Sequence, residues 1–120
     1  MIGVIDYGRG NLLSVTNALD SIGEEVTLVS NPDELQQCDR IVLPGVGAFP
    51  AGMRSLVESA LIEALTDHVI NQAKPFLGIC LGMQLLATIG HEQNDVPGLN
   101  WLDSEVSSLA PSEPNLKLPH

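Results

Sequence analysis

Pro75-Phe76-Leu77-Gly78-Ile79-Cys80-Leu81-Gly82-Met83-Gln84-Leu85-Leu86 is the stretch on which the reading of this chain turns. An apolar run reaches a glycine, a lone cysteine follows two residues later, and a second glycine comes two residues after that. Met83, Leu85, Leu86 and Ile89 then predict a helix running to Gly90. A nucleophilic side chain at a bend between strand and helix is the nucleophile-elbow pattern, with cysteine in place of serine. Gly78 and Gly82 remove the side chains that would collide with adjacent backbone at so sharp a turn. At the start of a helix, Cys80 meets backbone N–H groups and a dipole that favour its thiolate. The Leu81 N–H can face a developing oxyanion. On spacing alone a buried structural cysteine at a strand end is an equal alternative, because free cysteines are often buried.

Working outward, the runs Ile2–Ile5, Val26–Val29 and Arg40–Leu43 join 75–79 as four short, almost continuously apolar segments. Such runs fit parallel strands covered on both faces better than half-exposed ones, which would alternate. Helical spacing links Leu12, Val15, Leu19 and Ile22, with Gly23 as a stop. A short helical stretch is expected over 33–37 after Asn31-Pro32. Leu56, Val57, Ala60, Leu61, Ala64 and Leu65 predict one longer helix. Strand and helix therefore alternate four times, which predicts an α/β, doubly wound, mostly parallel sheet with helices on both faces. Residues 91–120 lose this period and read as loop with a short hairpin.

The 120 residues suit one domain. Apolar residues make up 44% and aromatics only 3%, so the core must be aliphatic. Fifteen acidic side chains against five basic ones give a charge of −10, which repels phosphate backbones and anionic membranes and argues against nucleic-acid binding. No stretch matches a signal peptide or a membrane span, and a cytoplasmic protein is expected. Cys38 and Cys80 have no metal-ligand spacing and read as free thiols. Cys38 lacks flanking glycines and reads as incidental.

The run Gly78-Ile79-Cys80-Leu81-Gly82-Met83-Gln84-Leu85-Leu86 resembles the signature of class I (triad-type) glutamine amidotransferases. Asp6-Tyr7-Gly8-Arg9-Gly10-Asn11 and Leu43-Pro44-Gly45-Val46-Gly47-Ala48-Phe49 narrow the resemblance to the glutaminase subunits of imidazole glycerol phosphate synthases, as does the closing Lys117-Leu118-Pro119-His120. The resemblance implies Cys80 as nucleophile and an oxyanion hole from Leu81 with Val46 or Gly47. It further implies glutamine binding by Gln84 and Gly45, and a partner interface at Asn11, Pro119 and His120. The implied partner is a (β/α)8-barrel cyclase in a heterodimer; no cofactor or metal is implied. Read by themselves, Pro44-Gly45 is an ordinary turn, Gln84 a solvated helix residue and Arg9 a solvated loop cation or a contact for an acidic group.

The family's catalytic His-x-Glu element lies well downstream of the nucleophile, and none of His68, His91 and His120 matches it. His68 is expected on a helix surface and His91 is expected to point away from Cys80. The expectation is therefore the N-terminal part of an amidotransferase domain, inactive by itself, with an open sheet edge and a bare apolar face. Another cysteine hydrolase of the elbow type and a non-catalytic docking fragment are the alternatives.

Overall fold

In the computed structural model the residues described are 1–109 and Asn115; the expectations for Pro119 and His120 lie outside them. Four strands, β1 (Ile2–Ile5), β2 (Val26–Val29), β3 (Arg40–Leu43) and β4 (Phe76–Gly78), form a sheet in the order β2-β1-β3-β4. Every pairing is parallel, with Val4 beside Leu28 and Val42, and Val42 beside Leu77. β1 leads outward to β2 on one side and neighbours β3 on the other, so the chain reverses direction across the sheet between β1 and β3. Open α/β sheets hold ligands outside the carboxyl ends of their strands at such a point. The loops after β1, β3 and β4, which carry the three quoted motifs, all emerge there.

Strand alternation divides the core. Ile5, Ile41, Leu43 and Phe76 face one side and pack with α2 (Pro32–Leu35), α3 (Phe49–Glu58), α4 (Ile62–Thr66) and α5 (Leu81–Gln84) through Leu35, Phe49, Leu56, Leu65 and Leu85. Ile2, Val4 and Val42 face the other side, where α1 (Leu12–Ser21) offers Leu12, Val15 and Leu19. Cys38 belongs to the first core: it is 1% exposed, and a Cβ on Gly3 would lie 2.7 Å from its sulfur. The second side is thinner. α1 has no fully buried residue, and Val15, Leu19, Val42, Leu77 and Ile79 line an apolar groove beside β4. Among the described residues no strand pairs with the outer edge of β4, and Leu77 there is 55% exposed.

Three helical expectations need correction. The single long helix over 56–65 is two, because Ala60 adopts φ 60° and turns the chain between α3 and α4. The break lets Leu56, Leu61 and Leu65 all reach the same core. The helix after Cys80 stops at Gln84 instead of reaching Gly90. The chain returning at 99–102 takes the carbonyls that further helical turns would need: Leu99 N–H donates to Leu85, Trp101 N–H to Leu86 and Asn100 N–H to Ala87. Ile89–Gly90 instead forms β5, the centre of a small sheet with β6 (Val96–Pro97, antiparallel) and β7 (Glu105–Val106, parallel). Finally, His68 is buried, not on the surface. A π-helical stretch over Asp67–Asn71 follows α4, and His68 Nε2–H donates to the Cys38 carbonyl at 2.8 Å.

His91 joins the small sheet together. Its Nδ1 lies 2.6 Å from Asp95 and its Nε2 3.4 Å from Glu105. The hydrogen bond to Asp95, then the two carboxylate charges, raise its pKa above the ordinary 6.5. A raised histidine stabilises the fold fully below its unfolded value, and the contribution is lost as pH rises through the folded value.

Two predictions follow from these contacts. Between about pH 6 and about pH 8.5 the parent's melting temperature should fall further than that of His91→Gln; parallel curves would show the clamp contributes nothing. Ala60→Gly should stabilise the fold by about 1 kcal/mol, since alanine is strained at positive φ and glycine is not. A lower denaturation midpoint for that variant would contradict the strain.

Candidate active site

Cys80 stands directly after β4 with φ 53° and ψ −120°, a conformation non-glycine residues rarely adopt. Its side chain is exposed, whereas Cys38 is buried, and both are free. The strain is held from both sides. A Cβ on Gly82 would overlap the Leu43 carbonyl, and a Cβ on Gly78 would lie 2.7 Å from the Met83 Cα. Glycine at both positions lets the bend lie flat on the end of β3, where Ile79 N–H donates to the Leu43 carbonyl at 2.9 Å. The turn is closed by Met83 N–H at 3.0 Å and Gln84 N–H at 3.2 Å, both donating to the Cys80 carbonyl. Because α5 is a single turn, the dipole available to Cys80 is smaller than the long helix expected from sequence would supply. Exposure and strained presentation are what the structure provides instead.

The turn after β3 lies against this elbow. Gly45 is buried: a Cβ there would strike the Tyr7 hydroxyl and lie 2.9 Å from the Gly82 nitrogen. Val46 is 57% exposed, and Gly47 adopts φ 105°. The Leu81 N–H donates to the Gly45 carbonyl at 3.3 Å. One amide expected to face an oxyanion is therefore occupied by a carbonyl of the segment expected to supply the other. Gln84 lies half-buried one turn after Cys80, so Cys80, Leu81, Gln84 and Gly45 converge, with Val46 and Gly47 at the rim.

Asn11 does not join them. Its Oδ1 accepts from the Ser14 N–H at 3.2 Å, capping α1, on the exposed side of the same strand end. Arg9 lies between the two: its Nε donates to Ser55 Oγ at 3.0 Å, and its guanidinium lies 3.6 Å from where a Gly47 Cβ would be.

Two contributors escaped the sequence reading. Tyr7 is buried and donates its hydroxyl to the Pro44 carbonyl at 2.7 Å. Burial pushes its phenol up to about 12, against a smaller lowering by Arg9, so it remains a donor at any ordinary pH. Glu92 accepts from the Phe49 N–H at 2.6 Å, satisfying an otherwise free amide at the start of α3. Tyr7 could have been suspected as a lone aromatic directly after a buried strand; nothing in the sequence pairs Glu92 with Phe49. A cleft of about 620 Å³ is lined by Thr16, Gly23, Glu25 and Val26. Val26 pairs with Ile2 at the opposite end of the strands from Cys80, so that cleft has no part in chemistry at the elbow. Among the described residues no group of three His, Cys, Asp or Glu side chains could hold a metal ion.

The chain is 47% identical over 123 residues to the imidazole glycerol phosphate synthase subunit HisH of Zymomonas mobilis subsp. mobilis, covering 99% of this chain and 58% of that protein. It is 46% identical over 120 residues to subunit HisH 1 of Campylobacter jejuni subsp. jejuni, covering 100% and 59%. The chain thus spans somewhat over half the length of the curated relatives it matches. A crystal structure of a glutamine amidotransferase shares the fold, with a TM-score of 0.72 at 20% identity over 87% of this chain and 54% of the other. The family model of class-I glutamine amidotransferases matches residues 3–93, and the chain belongs to that family.

Proposed function

We propose that residues 1–120 are the nucleophile-bearing N-terminal part of a glutaminase that serves imidazole glycerol phosphate synthesis. One observation carries the reading: an exposed cysteine held at positive φ between two glycines, on the end of a parallel strand. The family membership and the names of the relatives support the choice of glutamine as the amide and of an imidazole glycerol phosphate synthase as its setting, which we assign to the cytoplasm.

In this scheme the Cys80 thiolate attacks the side-chain amide carbon of glutamine. The carbonyl π electrons move to oxygen, and the oxyanion is met by main-chain N–H groups of Leu81 and of Val46 or Gly47. Collapse breaks the C–N bond, the nitrogen takes a proton and leaves as ammonia, and a thioester remains on Cys80. Water then adds to the thioester, releasing glutamate and restoring the thiol. Gln84 and Gly45 help to hold the glutamine. The steps balance with water alone and draw on no cofactor.

Proton transfer needs a base. His68 is buried against the Cys38 carbonyl, and His91 is clamped by Asp95 and Glu105. The base is therefore assigned to residues outside those described. Ammonia passes to a (β/α)8-barrel cyclase partner in a heterodimer, with Asn11, Pro119 and His120 on the facing side. Opening the hole requires the Gly45 carbonyl to turn away from Leu81, which a glycine permits, and binding of the partner's own substrate is the event assigned to drive it.

In the complete protein with its partner, Cys80→Ala should lower glutamine hydrolysis by roughly 10⁴-fold or more while leaving the melting temperature nearly unchanged. Activity retained within tenfold would remove Cys80 as nucleophile. Residues 1–120 alone should show little turnover.

A further inference from the structure

The glutaminase reading leaves Tyr7 without a task, yet its hydroxyl joins the loop after β1 to the turn after β3. Three successive carbonyls at the end of β3 have three different partners. Leu43 accepts from the Ile79 N–H, Pro44 from the Tyr7 hydroxyl, and Gly45 from the Leu81 N–H. The first and third are main-chain bonds to the elbow; the middle one, pointing the other way along the extended chain, is held by a side chain. The phenol oxygen sits so close over Gly45 that a Cβ there would strike it, and a Cβ on Gly10 would lie 3.2 Å from the Pro44 ring. The loop after β1 thus backs the turn, its phenol meeting the elbow's Gly82 and Leu81 over Gly45.

The geometry points to Tyr7 as a positioning residue that pins the Pro44 carbonyl, so that the rotation freeing the Leu81 N–H is confined to the peptide between Gly45 and Val46. The inference rests on the proposed glutaminase function. Freeing Leu81 requires the Gly45 carbonyl to move, and turning the Gly45–Val46 peptide over would carry the Val46 N–H toward the place that the carbonyl leaves. With Pro44 unpinned, the segment 44–47, containing two glycines, one of them at φ 105°, has many other ways to move. Most of them would lose the Gly45 carbonyl without delivering an amide. Tyr7 follows β1, one of the two strands paired on both edges, so the anchor is itself immobile, as a preorganised site needs. Phenylalanine keeps the ring in its buried place and removes only the pin.

The test uses the complete protein with its partner, well below the melting point of each variant. Tyr7→Phe should lower kcat about tenfold or more, up to the roughly 10²- to 10³-fold cost of losing an oxyanion donor outright, with KM within about twofold of the parent. Alkylation of Cys80 by iodoacetamide, which builds no oxyanion, should keep its rate. A kcat within about twofold of the parent, or equal falls in kcat and alkylation, would overturn the inference. Should Tyr7→Phe not fold, a fluorinated tyrosine placed at position 7 alone gives the second reading. Its phenol ionises at lower pH, and a phenolate cannot donate to Pro44. The kcat should therefore fall on the alkaline side while the parent's does not, and coincident pH profiles would overturn the inference. No glutamine hydrolysis by the parent complex would instead refute the glutaminase reading itself, whatever Tyr7 does.

Discussion

Main chain pressed on main chain, where Gly82 lies against the Leu43 carbonyl, sets the position of everything else at this site. A β-carbon at residue 82 would have to occupy the carbonyl's own space, so the elbow can approach β3 only because the side chain is missing. Close approach lets β4 continue its ladder through Ile79, brings Leu81 within reach of Gly45, and leaves Cys80 nowhere to go but outward. The parallel order β2-β1-β3-β4 brings the three motif loops to one end of the sheet. The glycine contact then converts that neighbourhood into a defined geometry of a few ångströms.

A site built from peptide groups behaves differently from one built from side chains. Its donors cannot be tuned by titration, but they can be turned on or off by rotating a single peptide. Here the Leu81 N–H and the Gly45 carbonyl satisfy each other, so both are at rest with no unpaired polar group. For Leu81 to serve an anion, Gly45 must give up its only described partner there. The arrangement therefore stores a choice between two sets of hydrogen bonds, and glycines at 45 and 47 lower the barrier between them.

The strands were legible because each appears as an almost unbroken apolar run, in the buried β1 and β3 and also in the edge strands β2 and β4, where Leu28 and Leu77 are exposed; three of the four begin and end where the sequence places them. The elbow was legible for a related reason, since only glycine fits at 78 and 82 and cysteine between them has a recognisable chemistry. Helix ends were not. Nothing local in Leu85-Leu86-Ala87 reveals that residues 99–102 will take their carbonyls, and nothing at Ala60 reveals that it must adopt positive φ to bring Leu61 onto the same core as Leu56. His68 was misplaced because its polarity suggested solvent, although helical spacing from Leu61 and Leu65 sets it on their buried face. Tyr7 and Glu92 act through partners 37 and 43 residues away, and single-sequence reading has no access to such pairings.

The two sides of the sheet are unequally anchored, since α1 buries none of its residues fully while α3 buries four. Cooperative opening should begin where least apolar surface is lost. Amide protons of residues 12–21 should accordingly trade with deuterated water well before those of α3. The elbow would keep its shape through such fluctuations, because its supports lie in β3 and on the thicker side. Mutational drift along α1 is then cheap for the fold, and that helix is free to follow whatever surface it meets.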